Sequence, residues 1–315
     1  MSQPTVAGGA HAGARRARRQ RLRRSDVRAA VPFLLPAVLL YGTFILYPMV
    51  DAVRLSFFSW DGFATTRQTW AGLDNYRRIF RHDPVFWTAF RNSVTWMILS
   101  LVVPTVLGLA LALLLNRRMR GRSAFRTIFY LPAVLAPIAV AAMWKWIYDP
   151  NFGVLNKLLE LIGIDSAGRA WLGDPDTALY ATFAASVWTV AGLNMVLFLA
   201  GLQNIPRELT EAARIDGAST PQVFRHVTLP GLRPAIVIVV VLTIINSLKA
   251  FDLIVGATGG GPAQKTQVLA LWSYTQSFGN HDFGAGSAVA TVLLAVTLVV
   301  VIPYLAWSMR QRREA

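Results

Sequence analysis

Two stretches carry the residue types that could do chemistry. The first is "RELTEAARIDGASTPQVFRHVTLPGLRP" (207–234), whose carboxylates and guanidiniums lie between two runs too apolar for water. The second is "GGGPAQKT" (259–266), which looks like a phosphate-cradling loop but lacks the closing Gly-Lys-Ser/Thr; Gly259, Gly260, Gly261 and Pro262 are therefore read as shaping an exterior turn. Elsewhere little is available for covalent work. There is no cysteine, which excludes disulfides and thiolate metal sites, and the four histidines (His11, His82, His226, His281) are scattered singly, which suits solvated or interfacial positions better than metal ligation. No HExxH pattern or catalytic pair of aspartates occurs. The predicted chemistry is non-covalent.

The elements that position these residues are membrane spans. Of 315 residues 54% are hydrophobic and 15% charged, with a mean hydropathy of +0.45, a balance typical of polytopic membrane proteins. Runs free of Asp, Glu, Lys and Arg at 29–50, 93–115, 127–144, 177–203, 234–248 and 283–309 predict six spans, since a spanning helix needs about 20 residues. The fifth run is short, so its helix is expected to continue through Lys249 to about Asp252. The predicted fold is all-α, with spans at about 29–50, 93–115, 127–148, 177–203, 231–252 and 283–309. A basic tail (1–28) with a disordered start precedes them, a charged segment (204–230) follows the fourth, and a short tail (310–315) ends the chain.

Charge orients the bundle. With the N-terminus inside, the inner segments hold 20 Lys/Arg (eight before 29, five in 116–126, four in 204–233, three at the end) against five acids, while the outer side holds 11 of each. The whole +15 falls on one side, as positive-inside topology requires, so both termini are read as cytoplasmic. The same balance reads "ARRARRQRLRR" (14–24) as a topology determinant against anionic lipid, not a nucleic-acid-binding arm. The first run is too long for a cleaved signal and stays as a span. Two outer loops are expected, at 54–91 and about 149–176, the second carrying a surface helix in "VLNKLLELIGI".

Locally, 204–230 reads as helix, turn, helix. Ile205, Leu209, Ala212 and Ala213 form an apolar stripe. Gly217 stands where a helix end wants positive φ, Thr220 is read as an N-cap ahead of Pro221, and Pro230 and Pro234 end the second helix. A loop lying on lipid would carry more cations and bulkier apolar groups than four arginines, three acids and two adjacent alanines. A docking element for a cytosolic protein is the sharper reading.

"EAARIDGASTPQVFRHVTLP" resembles the EAA motif of ABC importer permeases: Glu211, Ala212, Ala213, Gly217, Leu229 and Pro230 match, and Val227 replaces the usual Ile. "PFLLPAVLLYGTFILYPMVDAVRLSFFSW" (32–60), "WAGLDNYRRIF" (70–80), "NFGVLN" (151–156) and "FDLIVGATGGGPAQKT" (251–266) are similar to the first permease subunit of maltose-transporter-like sugar importers. The resemblance implies a type I importer permease fold in a bacterial plasma (inner) membrane. It also implies a second homologous permease, two copies of a cytosolic ATPase that supplies ATP and Mg chemistry, and an extracytoplasmic sugar-binding protein. This chain itself is then a transport subunit, not an enzyme, with no cofactor of its own. The EAA element would be the coupling helix, with Glu211 either contacting the ATPase or paired with Arg207 or Arg214.

For a sugar path, Asn246 lies roughly 18 Å along its helix from Pro234 and Asn194 roughly 13 Å from Gln203, both near mid-membrane. Amides and aromatic faces suit hydroxyl-rich ligands, which singles out Asn194, Asn246, Ser247 and Phe251; an interhelical hydrogen bond serves each Asn equally well. Lys249 and Asp252, near the outer boundary, are read as snorkelling or paired. Glycerol-phosphate or another polyol is the alternative cargo. An ion-coupled secondary transporter would want carboxylates inside the spans, and the six runs have none.

Overall fold

The computed structural model describes residues 32–117, 119–164 and 168–314. The basic tail 1–28 lies outside the described residues. The described residues up to Arg54 and those from Leu55 onward form separate compact units. In the first, α1 (Pro32–Leu55, its last residue in the second unit) is long and apolar enough to cross a membrane. It contains a π turn at Gly42–Leu46, ahead of Pro48, whose missing N–H breaks the regular ladder.

The second unit begins with a two-stranded antiparallel ribbon, β1 (Phe58–Ser59) and β2 (Thr69–Trp70), with Phe58 opposite Trp70. It continues with α2 (Asp74–Arg81) and α3 (Pro84–Asn116). Asp83 caps α3, accepting from the amides of Val85 at 2.9 Å and Phe86 at 3.0 Å, and Pro84 occupies the first turn where no N–H is needed. The helix thus starts well before the apolar run at 93. Next come α4 (Arg122–Tyr130), a 3₁₀ turn (Leu131–Val134) and α5 (Pro137–Ile147).

Where the third span is predicted, the helix is broken: Arg122–Val134 and Pro137–Ile147 meet at 102°. Pro137 explains this, since a residue before proline is driven to extended backbone and Ala136 sits at φ −61°, ψ 134°.

After α6 (Val154–Leu161), the predicted surface helix with Leu158 and Leu161 exposed, come α7 (Ala178–Gln203), α8 (Arg207–Ile215), α9 (Thr220–Gly231) and α10 (Arg233–Leu248). α9 and α10 meet at 66°. α10 does not run on to Asp252. It stops at Leu248, and a new helix, α11 (Asp252–Ala257), starts after Phe251. Lys249 ends one helix and Asp252 opens the next, each with the sign its helix dipole favours, and they form no ion pair with each other.

α12 (Leu269–Tyr274), extended by a π turn at Thr275–Gly279, leads to α13 (Phe283–Glu314). α13 carries helix through the predicted tail as far as Glu314, since the sequence there holds neither Gly nor Pro to break it. Among the described residues four helices are each long and apolar enough to span, and the two bent pairs bring the number to six if each pair is one span.

Three apolar clusters hold the bundle. Ala112, Met195, Phe198 and Val239 join α3, α7 and α10; Trp96, Phe183, Ile254 and Leu271 join α3, α7, α11 and α12; Phe86, Ala89, Trp272 and Val289 join α3, α12 and α13. Close helix approach rests on glycines where a side chain has no room. A Cβ on Gly192 of α7 would stand 2.0 Å from the Phe129 carbonyl oxygen, and one on Gly201 would stand 2.5 Å from Ala235 Cβ. Small residues at such contacts let helices approach closely without a hydrophobic driving force between them in lipid.

Candidate functional site

The charged segment folds as an elbow. α8 ends in a Schellman motif: the amide of Gly217 donates to the Arg214 carbonyl at 3.1 Å and that of Ala218 to the Ala213 carbonyl at 2.9 Å. That geometry needs a left-handed residue, and Gly217 has φ +81°. The second arm restarts at Ser219, not Thr220. Ser219 is the N-cap, and its amide donates to Gln222 Oε1 at 2.7 Å, the reciprocal half of a capping box. Thr220 is the first helical residue, because Pro221 then falls in the first turn. Farther along, Phe224–Thr228 widens into a π turn where Pro230 has no N–H for the ladder.

The elbow is seated at one edge only. Val223 is buried, and Ile205 lies against Gly231, where a Cβ would come within 2.9 Å of it. The rest faces outward: Leu209 is 55% and Ile215 86% exposed, with no residue of α8 buried. Glu211 is exposed and joins no ion pair with Arg207 or Arg214. Ala213, Gly217 and Val227 border a hollow of about 360 Å³ between the two arms. No Cβ added at Gly217 would meet anything within 4 Å. Leu229 is partly exposed and Pro230 exposed. Of the motif residues, Ala213 and Gly217 thus share the hollow between the arms with Val227, while Glu211, Leu229 and Pro230 are exposed elsewhere on the elbow.

The path candidates fall in different environments. Asn194 is 3% exposed and turned into the α3–α7 contact, where a Cβ on Gly108 would reach its Cβ at 2.6 Å; its Nδ2 has no hydrogen-bond partner. Asn246 is exposed. Ser247 is buried and donates to the Ile244 carbonyl at 3.0 Å. Phe251, at the break between α10 and α11, meets Tyr274 edge-on with ring centroids 5.3 Å apart.

At the opposite end, Gly259 (φ +61°) and Gly260 (φ +92°) make the expected turn, which ends in a cis Gly261–Pro262 bond. What holds this turn was not legible in the sequence. Asn92 Nδ2 of α3 donates to the carbonyls of Lys265 at 2.7 Å and Gln267 at 2.8 Å, and Ser93 Oγ accepts from the Leu269 amide at 2.9 Å. Nearby Trp272 Nε1 donates to Asp83 Oδ2 at 2.7 Å. These partners are more than 170 residues apart, so no spacing announces them. Asn92→Ala is expected to leave both carbonyls without their side-chain donor, at about 1–3 kcal/mol. Thermal unfolding in detergent should fall, and the 259–266 loop should become a protease site.

The profile of the family described as "binding-protein-dependent transport system inner membrane component" matches residues 104–313. The chain belongs to that family. A probable ABC transporter permease of Pyrococcus horikoshii is 41% identical to this permease over 288 residues, 91% of this chain and 98% of that one. The trehalose/maltose transport system permease MalF of Thermococcus litoralis is 33% identical over 285 residues, 90% and 95% of the two chains. Among solved structures, a bacterial ABC transporter involved in import of the acidic polysaccharide alginate superposes with a TM-score of 0.79 at 25% identity, covering 92% of this permease and 98% of that chain. The permease therefore has the type I ABC importer fold. It is a multi-pass inner-membrane transport subunit that works with a binding protein and with an ATPase carried on another chain. No group of three or more metal-binding side chains occurs among the described residues.

Proposed function

We propose that this permease admits a sugar handed over by an extracytoplasmic binding protein, that it pairs with a second homologous permease, and that two ATPase copies act on it through the elbow at 207–231. The cargo reading is supported by the names of relatives matched over nine-tenths of this chain, such as the trehalose/maltose permease. The observation that carries the coupling reading is the elbow itself, capped at both arms, exposing Leu209 and Ile215 and leaving Glu211 unpaired. ATPase closure can move spanning helices only through a stiff element, and a Schellman turn followed by a capped, proline-bounded helix is stiff. The positive-inside charge balance supports a cytoplasmic position for this end.

Binding-protein-dependent, ATP-dependent uptake of a labelled panel (trehalose, maltose, xylose, an acidic oligosaccharide, glycerol phosphate) into vesicles holding the full set of subunits tests this. Uptake of one of the sugars supports it; uptake of glycerol phosphate alone replaces the cargo, and uptake without ATP removes the mechanism.

Within the permease, Asn246 and Phe251 are proposed to border the sugar path and Asn194 to serve packing or the path through its unpartnered amide. Asn246→Ala is expected to lower uptake or change the preferred sugar several-fold, the cost of about one hydrogen bond to a hydroxyl, with assembly intact. Unchanged uptake and preference would make Asn246 a surface amide only.

A further inference from the structure

Beside the elbow, the end of α3, the turn into α4 and the end of α7 enclose an open cleft of about 1590 Å³. Arg117, Arg120, Arg122, Arg126, Arg207 and Arg214 line it, and Glu211 is the one carboxylate among its lining residues. The ion pairs of the described residues are Arg54–Asp51, Arg77–Asp74 and Arg78–Asp282, so none neutralises this group. Arg126 Nε is buried with no hydrogen-bond partner, and its Nη2 makes one long bond, 3.3 Å, to the Leu115 carbonyl. Apolar Leu113, Leu202, Val223 and Phe224 line it too, with Asn116, Gln203, Thr210, Thr220 and Thr228 among the neutral polar residues.

Six guanidiniums against one carboxylate repel one another and call for a multiply accepting anion, and the planar fork of Arg matches phosphate oxygens in pairs. A free phosphate would have no use for the apolar part of the lining. A phospholipid uses both, and the cleft lies where α3 and α7, two helices long and apolar enough to span, come to their ends; basic pockets beside the ends of spans suit anionic lipid. We propose that the cleft binds an anionic phospholipid, its phosphate held by the arginines and the start of its acyl chains lying on the apolar residues. Arg207, Glu211 and Arg214 belong to α8, so an occupied cleft braces the elbow against α3 and α4; that consequence rests on the coupling role proposed above, whereas the binding does not.

The full chain, purified with the subunits it retains, is placed in phosphatidylcholine nanodiscs and titrated with spin-labelled phosphatidylglycerol. Each arginine neutralised is expected to weaken the immobilised fraction about fivefold, so Arg120→Gln, Arg122→Gln and Arg214→Gln together weaken it about a hundredfold. Arg77→Gln with Arg81→Gln, at the other end, leaves it unchanged. Arg120→Gln alone, on the exposed turn, reads the single fivefold step if the triple variant fails to accumulate. Excess inorganic phosphate should not displace the lipid. Wild-type binding by the cleft variants overturns the proposal. Displacement by inorganic phosphate makes this a free-anion site, and retained lipid with lost ATPase makes it a protein-docking surface; either outcome also overturns it.

Discussion

Replacing Gly217 with valine is expected to leave the permease in the membrane but to strip it of the ATPase and of uptake. The apolar helices satisfy their own backbone groups and insert without help from the elbow. The elbow, however, turns on one left-handed residue at φ +81°, held by the bonds from Gly217 to Arg214 and from Ala218 to Ala213. A β-branched side chain resists that conformation by roughly 1–2 kcal/mol, and relieving the strain swings α8 away from α9. Because ~1.4 kcal/mol is tenfold in an equilibrium, a fall of about five- to thirtyfold in ATPase retention and uptake follows. Gly217→Asn is the informative control. Asparagine tolerates left-handed backbone, and there is open space for a Cβ in this chain, so the variant should couple almost normally. If Asn fails as badly as Val, what matters at 217 is room for the partner and not the turn. Normal coupling in Gly217→Val would mean the segment is a surface loop.

The parts of this architecture that were legible share one physical origin. Spans announce themselves because a bilayer excludes charge over some 20 residues, and the elbow because its Gly and Pro positions are local necessities. Gly217 was foreseen for that reason. The cap was misplaced by one residue, since Ser219 and Thr220 are equally good acceptors and only the reach of Gln222 back to the Ser219 amide decides between them. The breaks were less visible. Pro137 was in plain view, but an apolar run reads as one helix, and the 102° bend follows from the extended backbone that Pro137 forces on Ala136. Likewise α10 stops at Leu248 where charge counting ran it to Asp252, because Lys249 and Asp252 serve as helix ends. Among the candidate residues, Ala213 and Gly217 border one hollow of the elbow, whereas Asn194 and Asn246 came to a buried contact and an exposed face. Periodicity could not separate them, since every position on a spanning helix is flanked by apolar residues.

The contact at Gly192 is where the bundle has least tolerance, and it is where the largest loss of stability is expected. A Cβ there would stand 2.0 Å from the Phe129 carbonyl oxygen, 3.0 Å from its carbon and 3.2 Å from Tyr130 Cα, all backbone atoms that no rotamer change can move. Gly192→Ala must therefore push α4 off α7. Overpacking of this kind costs about 1–3 kcal/mol or more, and here it dislocates the arm that carries Arg122 and Arg126 to the cleft. Gly192→Val, with two further methyl groups at the same spot, is expected not to accumulate. Gly279→Ala, which meets nothing closer than 3.4 Å, should be close to neutral. Membrane abundance and the thermal midpoint in detergent read both variants. A wild-type midpoint for Gly192→Ala would show that α4 and α7 do not meet this closely.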